Sequence, residues 1–110
     1  MTDLTTFETP SPEQIVTITT ETAGICPYAH GVDTYDVTIE YRGPHTAETD
    51  SLAAWLRTYH DRKITAEALT DELYTTLADA IEPDDLYVEL VQCRHGTTQL
   101  TTSRGTPLRQ

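Results

Sequence analysis

Lysine is almost missing from this chain: Lys63 is the only one among 110 residues, and arginines supply the rest of the seven basic side chains. Eighteen acidic residues stand against them, for a formal net charge of -11. That balance excludes a generic nucleic-acid-binding protein, because the phosphate backbone is met by lysine and arginine. It does not exclude a nucleic-acid substrate, since concentrated salt screens attraction and repulsion alike. An acidic, lysine-poor surface keeps a protein soluble in such salt, and the composition points to a salt-loving archaeal source. Cysteine is scarce too. Cys26 and Cys93 are the whole supply, which excludes a disulfide framework. No apolar run approaches the roughly 20 residues that span a bilayer. Residues 1–12 have neither a basic start nor an apolar stretch, so they do not read as a signal peptide. A cytoplasmic, reduced protein is expected. Apolar residues amount to only 37%, a lean core for a short chain, and this favours self-assembly.

What is present divides simply. Residues 1–12, with Pro10 and Pro12, read as a flexible lead-in. Residues 13–102 read as a single domain, and residues 103–110, with Gly105 and Pro107, as a C-terminal tail. Within the domain, residues 14–21 mix Ile15, Val16 and Ile18 with threonines, as a half-buried strand does. Residues 23–32 hold Gly24, Pro27 and Gly31 and should form a loop. Then Tyr35, Val37, Ile39 and Tyr41 alternate with polar residues over 33–42, a period-two strand. Leu52, Trp55, Leu56 and Tyr59 recur at helical spacing over 50–60, and a second helix from Thr65 buries Leu69, Leu73, Leu77 and Ala80. Leu86, Val88 and Leu90 mark a strand over 85–92, and residues 97–102 suggest a short return strand. Two strands, two helices and two strands predict an α+β fold: a four-stranded antiparallel sheet with both helices between its second and third strands.

Cys26 lies in the Gly- and Pro-bounded loop, with Asp33 seven residues on. A thiol becomes a useful nucleophile when a neighbour handles protons for it, and a partly buried Asp can be that acid or base. Spacing alone does not separate this from a small buried hydrophobe beside a turn residue. A zinc site is the rival: Cys26, His30, Cys93 and His95 form two pairs, although C-x3-H and C-x-H are not the usual zinc spacings. His45 and His60 have no partner at a telling spacing. Glu82, Asp84 and Asp85 read as a solvated turn. Arg94, Arg104 and Arg109, near the C-terminus, are the candidates to meet phosphates.

The segment Ile25-Cys26-Pro27 followed by Asp33 resembles the loop that carries the nucleophilic Cys and acid-base Asp of the QueF nitrile reductases, which handle 7-cyano-7-deazaguanine in queuosine biosynthesis. Residues 48–56, Glu-Thr-Asp-Ser-Leu-Ala-Ala-Trp-Leu, are similar to that family's Glu-Ser-Lys-Ser-Leu-Lys-aromatic signature. The resemblance implies the tunnelling fold assembled into a ring, a homo-oligomer with its sites between subunits. It also implies Cys26 and Asp33 as catalytic residues, and Glu67, Glu48 and Thr49 as contacts to the deazaguanine. One carboxylate can accept from both N1-H and the exocyclic amine of such a base. The departures are informative. Two signature lysines that belong to the nicotinamide-cofactor site are Asp50 and Ala53 here, and the histidine before the recognition Glu is Ala66. A short chain without the reductase signature resembles the archaeal QueF-like amidinotransferases, which act on the base within tRNA. These pass from a thioimide to the formamidine of archaeosine, with ammonia as co-substrate and no cofactor. An NADPH-dependent reductase is the alternative, and a zinc-dependent or non-catalytic purine-binding protein of the same fold is a further one.

Overall fold

A computed structural model describes residues 4–29, 31–94 and 96–109. Its main sheet has four antiparallel strands in the order β2 (Val16–Ile25), β3 (Val32–Arg42), β5 (Asp85–Gln92) and β6 (Thr101–Gly105). Helices α1 (Thr49–Arg57) and α2 (Ala66–Ile81) lie between β3 and β5 in the chain. This is the α+β arrangement that the hydrophobic pattern predicts.

The pleat decides where everything else goes. Tyr35, Val37, Ile39 and Tyr41 on β3 are buried, and register sets them beside Leu86, Val88 and Leu90 of β5. Against this face pack Leu52, Trp55 and Leu56 from α1 and Leu69, Leu73, Leu77 and Ile81 from α2. The opposite face carries alternate residues such as Thr34 and Asp36 on β3, both exposed. Each helix starts on a side-chain cap. Thr65 accepts from the Ala68 N–H at α2, and Glu48 accepts from Asp50 and Ser51 at α1. Glu82 closes α2 in the left-handed conformation, just ahead of Pro83.

Three boundaries differ from the sequence reading. Part of the expected lead-in is structured: β1 (Thr6–Glu8) pairs with β4 (His45–Ala47) in a separate two-stranded ladder. Thr5 ties this segment to the helix start, its N–H donating to Ser51 Oγ and its carbonyl accepting from Glu48. β2 runs on to Ile25, through Gly24, because β3 opposite it supplies backbone partners at every position. The last strand falls at 101–105 instead of 97–102, and residue 108 also has a partner, its N–H donating to Glu40 Oε1 at 3.0 Å.

Leu73 is fully buried at the helix–sheet seam. Truncating it to Ala should cost about 2–5 kcal/mol, whereas Asp79→Ala on the exposed side of α2 should stay within about 0.5 kcal/mol. Chemical denaturation of the two variants beside the parent checks this.

Candidate active site

The loop between β2 and β3 presents Cys26. Ile25 pairs with Val32 and Gly24 with Asp33, so the hairpin holds Cys26 just beyond the last paired residues. The Cys26 N–H reaches the Gly31 carbonyl at 3.4 Å and closes the loop, with Gly31 at a positive φ of 129° that suits glycine. Cys26 is half-buried and carries a free thiol.

Asp33 follows the phase of Tyr35 and Val37, so its carboxylate turns toward the helix-covered face and is only 5% exposed. Gln92 is in phase with Leu86, Val88 and Leu90 of β5, and its Nε2 donates to Asp33 Oδ1 at 3.3 Å. A buried carboxylate needs such donors. Tyr35 follows Asp33 on the same face of β3, opposite Gln92. Burial first, then the electrostatic influence of Asp33, Cys26 and Glu67, pushes its hydroxyl up to about 12. Tyr35 therefore stays protonated at neutral pH. Glu67 is exposed, in the first turn of α2, where the helix dipole favours a negative charge.

A second contact brings the helix connection to the thiol. Ile25 donates to the Arg62 carbonyl at 2.8 Å and accepts from Ile64 N–H at 3.0 Å, a parallel bridge centred on Lys63. Gly24 permits it, since a Cβ there would lie 3.1 Å from Ile64 Cγ2. The result is a cavity of about 270 Å³ walled by Cys26, Pro27, Tyr28, Gly31 and Lys63. A larger concavity of about 430 Å³ near Tyr74 and Pro83 lies at the far end of α2 and contains none of the candidate residues.

The other expected contacts fare differently. Glu48 accepts backbone hydrogen bonds on both carboxylate oxygens, from Asp50 at 2.7 Å and Ser51 at 2.8 Å, which hold its carboxyl below the usual range. A carboxylate has about four acceptor sites, so capping leaves room for a base contact but fixes its direction. Thr49 is exposed at the first position of α1. Among the proposed zinc ligands, His30 and His95 lie outside the described residues. Among the described residues no group of three or more metal-ligating side chains forms. The arginines expected to meet phosphates are partly committed: Arg104 pairs with Asp71 at 3.2 Å and stacks on Tyr74, and Arg94 donates to the Thr97 carbonyl. The spacing argument missed Gln92 and Tyr35. Their signal was present, as a polar residue and a phenol in phase with core positions.

Among solved structures that share this architecture is the archaeosine synthase QueF-Like in its apo form. It superposes with a TM-score of 0.77 over 90% of this chain and 96% of the other, at 23% sequence identity. The chain thus has the QueF-like fold. No protein-family model matches it, and no curated protein matches it in sequence. No helix among the described residues is long and apolar enough to cross a membrane.

Because backbone hydrogen bonds depress the Glu48 carboxyl, its folded form releases the proton more readily than the unfolded chain does. That contribution is present above the ordinary carboxylate range and is lost as pH falls through the lowered value. Glu48→Ala should therefore melt below the parent at neutral pH, and the gap should narrow below about pH 4. Thermal melts across that range check it.

Proposed function

We propose that this chain is a QueF-like amidinotransferase of archaeosine synthesis, converting a nitrile-bearing 7-deazaguanine in tRNA to the formamidine. One observation carries this reading: Cys26 and Asp33, which the family resemblance assigns to nucleophile and acid, lie at one end of the β2–β3 hairpin, where the Ile25 bridge also brings the start of α2 that bears Glu67, in a fold shared with an archaeosine synthase.

The chemistry follows from what each group can do. The Cys26 thiolate adds to the nitrile carbon, making a C–S bond, and the nitrile nitrogen takes a proton from Asp33. Burial and the Gln92 amide hold Asp33 in place for that transfer. Ammonia then attacks the thioimide carbon and gives one proton back to the Asp33 carboxylate, the C–S bond breaks, and Cys26 leaves as the thiolate. The net change adds ammonia to a nitrile, with no oxidation or reduction. Glu67 accepts from N1-H and the exocyclic amine of the base, and Glu48 and Thr49 complete the base contacts. Asp50 at the start of α1 weighs against the reductase alternative, because an acidic residue stands where a phosphate-bearing cofactor needs a cation.

We also propose that the subunits assemble into a ring with sites between neighbours. β2 and β6 are the outer strands of the main sheet, and strand edges left open invite pairing with another chain. A cytoplasmic enzyme of a salt-loving archaeon fits the composition.

With tRNA carrying 7-cyano-7-deazaguanine and ammonium in high salt, mass spectrometry of the nucleosides should reveal the formamidine. Cys26→Ala should abolish it, and Asp33→Asn should slow it by about 10²–10⁴-fold. Glu67→Gln should act mainly by raising KM. An aminomethyl product that needs reduced nicotinamide cofactor, or a formamidine that persists in Cys26→Ala, contradicts the proposal.

A further inference from the structure

The Cys26 cavity has a wall that the nitrile chemistry leaves unused. At about 270 Å³ it lies at the small end of ligand pockets. Cys26 alone of the proposed site residues lines it, so the cavity adjoins the place of the reacting base and does not enclose it. Two side chains stand there. Lys63, the chain's one lysine, lines the cavity and is exposed. Its backbone is pinned by the bridge to Ile25, so it is not carried on a loose loop. Among the described residues it forms no ion pair, while Arg42, Arg62 and Arg104 pair with Asp85, Glu72 and Asp71. Tyr28 also lines the cavity and is 89% exposed, an aromatic plane with nothing covering it.

A base has no anionic group for a lysine to meet, but a nucleotide in a strand does. A cation and a bare aromatic ring flanking a small cavity are the elements of single-stranded nucleic-acid recognition, one meeting the backbone and the other stacking on a base. From this, and resting on the function proposed above, we infer that Lys63 and Tyr28 are the RNA contacts of this site. Lys63 meets a phosphate next to the reacting nucleotide, and Tyr28 stacks on a neighbouring unpaired base. On a chain of charge -11, where most of the surface repels phosphate, one unpaired cation at the rim carries an unusual share of the binding.

Fluorescence anisotropy with a labelled tRNA transcript, bearing ordinary guanine at the target position and titrated over a range of salt, tests this without turnover. Lys63→Gln should weaken binding about 5- to 10-fold at the lowest salt and reduce the slope of log K against log salt by about one. Lys63→Arg should restore both. Tyr28→Ala should weaken binding about 5- to 100-fold without changing the slope. In parallel, the rate at which free 7-cyano-7-deazaguanine adds to Cys26, followed by intact mass, should fall far less in Lys63→Gln than RNA binding does. The inference is overturned if the parent does not bind the transcript, if Lys63→Gln keeps the parent's affinity and slope, or if adduct formation and RNA binding fall together. Lysine-dependent RNA binding with no Cys26 adduct in the parent would leave these contacts standing and sink the proposed reaction instead.

Discussion

Two backbone hydrogen bonds, from Ile25 N–H to the Arg62 carbonyl and from Ile64 N–H to the Ile25 carbonyl, fasten the connection between the helices to the end of β2. Much of the candidate site depends on that clamp. It places Lys63 beside the Cys26 loop and sets Thr65, the cap of α2, one residue past Ile64. Glu67 then falls in the first turn of α2, near the sheet end that holds Asp33. Packing of Leu69, Leu73, Leu77 and Ile81 holds α2 on the sheet, and the clamp fixes the start of that helix beside the end of β2. Gly24 leaves the close approach uncrowded, since a Cβ there would lie 3.1 Å from Ile64 Cγ2.

The electrostatics divide along the same line. The sheet face under the helices is apolar for most of its length, then turns polar at one end, where Asp33 and Gln92 occupy positions in phase with the core. Burying a carboxylate there is costly and adds nothing that packing alone could not supply. Burial first, and then the influence of Asp33, Cys26 and Glu67, keeps the Tyr35 hydroxyl protonated.

The sequence exposed much of this. The alternation at Tyr35, Val37, Ile39 and Tyr41 defined β3, and the spacing of Leu69, Leu73 and Leu77 defined α2, because burial on one face leaves a period that composition cannot hide. What it concealed depends on contacts between distant segments. β1 is three residues long and carries no apolar alternation, so its pairing with β4 is visible only once the corner at Gly43 is folded. β6 is a mostly exposed edge strand whose ends no core pattern marks. At the site, motif resemblance singled out Cys26, Asp33 and Glu67, and the structure adds that Asp33 is buried and bonded to Gln92. The capping role of Glu48 was hidden behind its place in that same motif, and the commitment of Arg104 to Asp71 and Tyr74 could not be read from its neighbours in the chain. Lys63 was visible as a count of one, and only the bridge to Ile25 shows why its position matters.

The central claim is that Cys26 forms a covalent bond to a nitrile carbon with Asp33 as its proton donor. The most direct measurement is the intact mass of the protein after incubation with 7-cyano-7-deazaguanine in the absence of ammonia, followed by peptide mapping. The account predicts a mass increase equal to the whole base, located on Cys26, slowed in Asp33→Asn and discharged by added ammonium. A protein whose mass does not change, or a modification found on Cys93 instead, would contradict it.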